Sequence, residues 1–131
     1  MNKKLFFAFF GMFAFLLISC NADDGDADDD IKLSQKTAVF NAESNSVTIK
    51  AKGDSWWLNG IFLNKVNLDL SNIDKLSKNF VFTNPEFQVE RKDGKTIIIT
   101  MNKNTTNSER ILHIVVQSGN YFDSVVITQS K

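Results

Sequence analysis

The chain has 131 residues, with 15 basic and 15 acidic side chains, so it is formally neutral, and only Arg91 and Arg110 are arginines. That composition excludes an arginine-rich nucleic-acid surface. A single Cys and a single His exclude an internal disulfide and a His/Cys metal centre.

Met1 to Lys4 is short and basic, and Leu5 to Ile18 is apolar apart from Gly11. A small residue, Ser19, then precedes Cys20. A charged start, an apolar middle and a small-residue exit make a secretory signal. The apolar run has 14 residues, and a membrane-spanning helix needs about 20. Leu17-Ile18-Ser19-Cys20 resembles the lipobox of bacterial lipoproteins. The resemblance implies cleavage before Cys20 and a diacylglyceryl thioether on its sulfur, usually with an amide-linked acyl chain as well. One acyl chain binds a bilayer only marginally, at about 0.8 kcal/mol per buried methylene, so several chains would anchor the protein without help from the domain. The expected partner is therefore a membrane, the outer membrane, with the domain facing the periplasm or the cell surface.

Residues 20–30 are expected to form a tether. Six aspartates lie within it (Asp23, Asp24, Asp26, Asp28, Asp29 and Asp30), and it has no large apolar residue. Such a segment repels itself and buries nothing, so an extended spacer is expected. It also resembles the acidic stretch after the lipidated Cys of Bacteroidetes-type surface lipoproteins, which implies an export address. A calcium loop starting at Asp24 would need Gly at position six and Glu at position twelve. Asp29 and Gln35 stand there, so no metal site is expected.

Residues 31–131 carry 13 bases against 9 acids and are long enough for one domain with its own core. The texture is β. "SVTIK" at Ser46–Lys50 alternates. "FQVERKDGKTIIIT" has strand character on both sides of Asp93-Gly94, a pair favoured in two-residue hairpins. "RILHIVVQ" and "SVVITQ" are two more strands around a Gly119-Asn120 turn. Period two places Leu112, Ile114, Val116, Val125 and Ile127 inward and His113 outward. "LDLSNIDKLSKNF" differs, with Ile73, Leu76 and Phe80 at helical spacing. Ser71 and Asp74 there resemble a capping box, so a short helical insertion is expected, ended by Pro85. The expected fold class is all-β, a sandwich with that insertion.

"SVTIKAKGDSWWL" followed by "NTTNSERILHIVVQSGNYFDSVVITQ" resembles the BACON domain (Bacteroidetes-associated carbohydrate-binding, often N-terminal). The matching features are a Trp after a short turn (Trp56 or Trp57), an Asn (Asn102 or Asn104), an Arg opening a strand (Arg110) and a closing strand that ends in Gln129. The resemblance implies an immunoglobulin-like β-sandwich and carbohydrate binding. The segment from Asn59 to Pro85 departs from the family pattern.

No nucleophile or orienting acid is marked beside His113, so no catalysis is expected, and no cofactor is implied. The candidate ligand-binding residues are Trp56, Trp57, Phe62, Arg110 and Tyr121. Aromatic planes stack on the C–H faces of sugars, and nearby polar groups fix the hydroxyls. Neighbouring residues on a strand point to opposite faces, so one of Trp56 and Trp57 is expected inside and the other outside. Arg110 would suit an acidic sugar or a structural ion pair. The sequon Asn104-Thr105-Thr106 is taken as chance. The expected function is glycan binding or adhesion at the cell envelope, on mucin-type or dietary polysaccharide. The competing expectation is a spacer or accessory subunit that docks an envelope protein.

Overall fold

The computed structural model describes residues 28–131. The signal segment, Cys20 and most of the acidic tether lie outside the described residues. Nine strands follow in order: β1 (Thr37–Phe40), β2 (Asn45–Lys50), β3 (Trp57–Leu63), β4 (Val66–Asn67), β5 (Phe80–Asn84), β6 (Phe87–Lys92), β7 (Thr96–Met101), β8 (Arg110–Ser118) and β9 (Tyr121–Gln129). They form two sheets, β1-β9-β8-β3-β4 and β2-β7-β6-β5. Taking β2, β3, β4, β6, β7, β8 and β9 as strands B, C, C′, D, E, F and G gives B-E-D facing G-F-C-C′, the immunoglobulin order. β1 runs parallel to β9, and every other pairing between strands is antiparallel.

Alternation builds the core. Ile97, Ile99 and Met101 of β7 face Leu112, Ile114 and Val116 of β8 and Val125 and Ile127 of β9, all essentially buried. The inward set expected on β8 and β9 is therefore inward, and Ser118 pairs with Tyr121 around Gly119-Asn120. The same parity carries both arginines inside. Arg91 is the last inward residue of β6 and Arg110 the first of β8, exposed by only 1% and 4%. They lie at opposite ends of the sandwich.

Two expectations are corrected. The Asp93-Gly94 hairpin closes over three residues rather than two, because Lys92 pairs with Thr96. Asp93 and Gly94 both take positive φ, 52° and 79°, and the Lys95 carbonyl accepts the Ala51 N–H at 2.8 Å. The helical insertion is not a helix. Residues 59–85 hold most of β3, then β4 and β5, with turns between β4 and β5. The Asp69 carboxylate accepts the Ser71 N–H at 2.9 Å, and Asp74 accepts the Leu76 N–H at 3.0 Å. These side chains offer the backbone local turns in place of helical bonds. Ile73 packs on the core but Leu76 is 69% exposed, so no continuous apolar stripe exists.

The chain enters beside the Gly94 turn. The Asp29 carboxylate accepts the N–H groups of Ile31 and Lys32 at 3.0 and 2.8 Å. Burial pushes the Asp29 carboxyl up, but those two amides and the charges of Lys36 and Lys32 hold it below its usual value. The Asp30 carbonyl sits where a Cβ on Gly53 would be 2.2 Å away, so only glycine fits there. Ile31 is fully buried. Asp29 and Asp30 thus belong to the packed start of the domain.

Arg91 organises that end. Its guanidinium lies 3.5 Å above the centroid of the Trp56 ring. It donates to four main-chain carbonyls: Gly94 (Nε, 3.0 Å), Trp56 and Ser77 (Nη1, 2.8 and 3.1 Å) and Asp54 (Nη2, 3.0 Å). Burial lowers its pKa to about 10, partly offset by the charge of Asp54. A desolvated cation over an indole contributes about 2 kcal/mol, and each buried carbonyl left without a donor costs about 1–3 kcal/mol. Arg91→Met should therefore lower unfolding stability by at least about 3 kcal/mol in urea titration. Arg91→Lys should recover little of it, since an ammonium has neither the plane nor the fork. A loss below about 1 kcal/mol for Arg91→Met would contradict this role.

Candidate functional site

The outward face of the five-stranded sheet has no layer packed on it among the described residues. Register places its side chains in rows across the strands. Trp57 of β3 pairs with Gln117 of β8, and Gln117 with Phe122 of β9. Gly60, Val115 and Ser124 form the next row. Phe62, His113 and Val126 form the third, with Thr37 of β1 beyond them.

A bulge at Asn59 keeps this pattern in phase. Leu58 pairs with Val116 and Gly60 with Val115, so Asn59 is the extra residue. It allows both Trp57 and Phe62 to face outward although they are five positions apart. The Phe62 ring leans over Gly60, where a Cβ would meet its Cε1 at 3.3 Å. It also lies 5.9 Å from the His113 ring.

The face has two halves. Around the first row, Trp57 is partly exposed and Phe122 is 54% exposed. Between them Asn59 Nδ2 donates to Gln117 Oε1 at 2.9 Å, and Gln117 Nε2 donates to the Gly119 carbonyl at 2.9 Å. The other half is apolar. A shallow depression of about 480 Å³ there is lined by Phe62, Lys65, Ile111, His113, Val115 and Val126. Val39 of β1 extends this half at 81% exposure.

The expected site residues do not converge. Trp57 and Phe62 share the outward face. Trp56 is buried at 3% exposure beneath Arg91, its indole N–H donating to the Gly53 carbonyl at 2.9 Å. Tyr121 has the opposite parity to Phe122 and packs against the edge of the core. Its phenol is pushed up by burial and by the charges of Asp123 and Asp29. Asp123 forms an ion pair with Lys36 at 3.1 Å, and that hydrogen bond raises the Lys36 ammonium pKa.

Arg110 is occupied at the far end of the sandwich. It donates to Gln129 Oε1 through Nε (3.0 Å) and Nη2 (2.8 Å), and to the Asn102 carbonyl at 2.7 Å. Glu86 lies 3.5 Å from Nη1. Asn104 is also taken: its Nδ2 donates to the carbonyls of Ser108 and Ser130, both at 2.9 Å. These groups hold the fold together and present little to a ligand.

Sequence reasoning placed Phe122 among the aromatic residues near turns but left Phe122, Gln117 and Asn59 out of the candidate site. A signal for the first two was present. Counting outward from the Gly119-Asn120 turn pairs Ser118 with Tyr121 and then Gln117 with Phe122. The bulge at Asn59 left no comparable mark.

Comparison with known proteins bears on the same strands. Residues 85–130 match the family described as "BACON: Putative binding domain, N-terminal". An NMR structure of a protein from Bacteroides thetaiotaomicron is similar, with a TM-score of 0.63 and 22% identity over 82% of this chain and 93% of that one. Titin domain M7 is a weaker likeness, with a TM-score of 0.45 and 8% identity over 79% of this chain and 97% of that one. No curated protein sequence matches. The likeness at 22% identity concerns the fold. The family match covers β6 to β9, which supply two of the three residues in the aromatic row. Over residues 85–130, then, the chain is similar to the BACON family, and the likeness covers β6 to β9.

Proposed function

We propose that the protein is a non-catalytic, lipid-anchored binding protein of the outer membrane, and that the outward face of its five-stranded sheet binds glycans. The observation that carries this reading is the row Trp57, Gln117, Phe122, two aromatic rings flanking an amide on an open sheet face. Aromatic planes pack on the apolar faces of sugars while amides meet the hydroxyls. The BACON match supports a binding role, and mucin-type or dietary polysaccharide is the substrate class. A second reading has one observation in its favour. The half lined by Ile111, Phe62 and Val126, with exposed Val39 beside it, is apolar enough to dock an envelope protein.

The anchor in this reading is acylated Cys20. Eight residues, Asn21–Asp28, separate it from the packed start of the domain, and they span at most about 28 Å when extended. The aromatic row lies at the end of the sandwich where the chain enters, so a bound glycan would lie near the membrane surface.

Two experiments test this reading. The full-length protein, purified in detergent, should bind members of a mucin and plant glycan array. Trp57→Ala should weaken that binding at least tenfold while leaving cooperative unfolding intact. No binding above background, or binding untouched by Trp57→Ala, would favour the docking reading. Cys20→Ala should abolish fatty-acid labelling and move the protein out of the membrane fraction; a variant that is still labelled would defeat the anchor.

A further inference from the structure

We infer that the face takes neutral sugar chains of at least two residues, laid across the strands from Trp57 to Phe122, and discriminates against acidic ones. This deepens the glycan reading above and rests on it.

Length follows from register. Trp57, Gln117 and Phe122 sit on three successive strands, in line. Neighbouring strands are about 4.8 Å apart, so the backbones carrying the two rings are separated by about 10 Å. A single pyranose covers one ring and leaves the other in water. Two linked sugars reach both, with their linkage over Gln117.

Neutrality follows from the groups between the rings. The Asn59–Gln117 hydrogen bond and the Gln117–Gly119 hydrogen bond use one hydrogen of each amide. Each nitrogen keeps a second hydrogen, and the Asn59 oxygen keeps its lone pairs. These are uncharged donors and acceptors suited to hydroxyls. No ionised side chain stands in the row. Lys36, beside this end of the sheet, is paired with Asp123. Asp123 itself lines the shallow depression that Phe122 shares with His113, Val115 and Ser124. Arg110 is buried at the opposite end. A carboxylated sugar laid over the row would meet uncharged amides between the rings. Lys65 and Lys75, which form no ion pair among the described residues, line neighbouring depressions with Phe62 and with Asn59 and not the row itself. The hydration lost between the rings would therefore not be replaced by a charge partner.

The test uses the full-length protein in detergent and calorimetric titration. The probes are glucose, mannose and galactose tetrasaccharides, the corresponding monosaccharides, and a galacturonic acid tetrasaccharide. At least one neutral tetrasaccharide should bind at least tenfold tighter than its monosaccharide and tenfold tighter than the galacturonate. Phe122→Ala, at an exposed position that the core does not need, should remove at least tenfold of that affinity. Equal affinity for monomer and tetramer, galacturonate binding as tight as the neutral chain, or Phe122→Ala without effect would each overturn the inference while leaving glycan binding standing. Failure of every probe to bind would overturn it together with the glycan reading.

Discussion

A buried guanidinium stacked on an indole sets the geometry of one end of this sandwich. Among the described residues Arg91 has no carboxylate in direct contact; four carbonyls and the Trp56 ring surround it. Those carbonyls come from four places in the chain: the loop before β3, the first turn into β3, the connection between β4 and β5, and the β6–β7 hairpin. Removing a cation from water is expensive unless its hydrogens are taken up, and here the planar fork distributes them among four separate segments. The Gly94 N–H adds a reciprocal bond to the Lys78 carbonyl at 2.9 Å. Lys78 in turn donates to the Asp54 carbonyl at 3.0 Å.

The display of Trp57 is a consequence. With Trp56 fixed inward under Arg91, strand alternation turns the next residue outward. Arg91 therefore acts on the candidate face indirectly, by deciding which tryptophan is core. The opposite end uses a second inward arginine differently. Arg110 meets Gln129, the last residue of β9, and Gln129 Nε2 reaches the Asn102 carbonyl at 3.0 Å. Both ends are thus closed by polar networks, and the apolar core lies between them. On the outward face of the five-stranded sheet, Val39, Ile111 and Phe122 stay exposed among the described residues. The proposed binding role rests on these exposed apolar side chains gathered on one sheet face.

Much of this was legible in the sequence, and the limits have physical causes. β8 and β9 follow strict period two around a Gly-Asn turn, so their inward residues could be read directly. So could the division of labour between the two tryptophans, although which one was core depended on Arg91. The "VERKDG" stretch looks like an ordinary charged strand end; period two from Phe87 and Val89 puts Arg91 on the inward parity, but nothing local shows which groups would take up its charge there. The connection between β4 and β5 misled for a different reason. Ile73, Leu76 and Phe80 have helical spacing, but Asp69 and Asp74 spend their carboxylates on nearby amides, and Arg91 requires the Ser77 carbonyl that a continued helix would have used. Tyr121 and Phe122 are adjacent in sequence, and the register of a two-residue hairpin alone decides that Phe122, not Tyr121, joins Trp57.

The account depends on the two neighbouring indoles having opposite fates, one clamped and dry, the other on the open face. Nuclear magnetic resonance can follow both indole N–H signals while a neutral tetrasaccharide is added. The Trp57 signal should exchange readily with solvent and shift on titration, while the Trp56 signal, bonded to the Gly53 carbonyl, stays protected and still. A Trp56 signal that moves with the sugar, or exchanges as fast as that of Trp57, would contradict it.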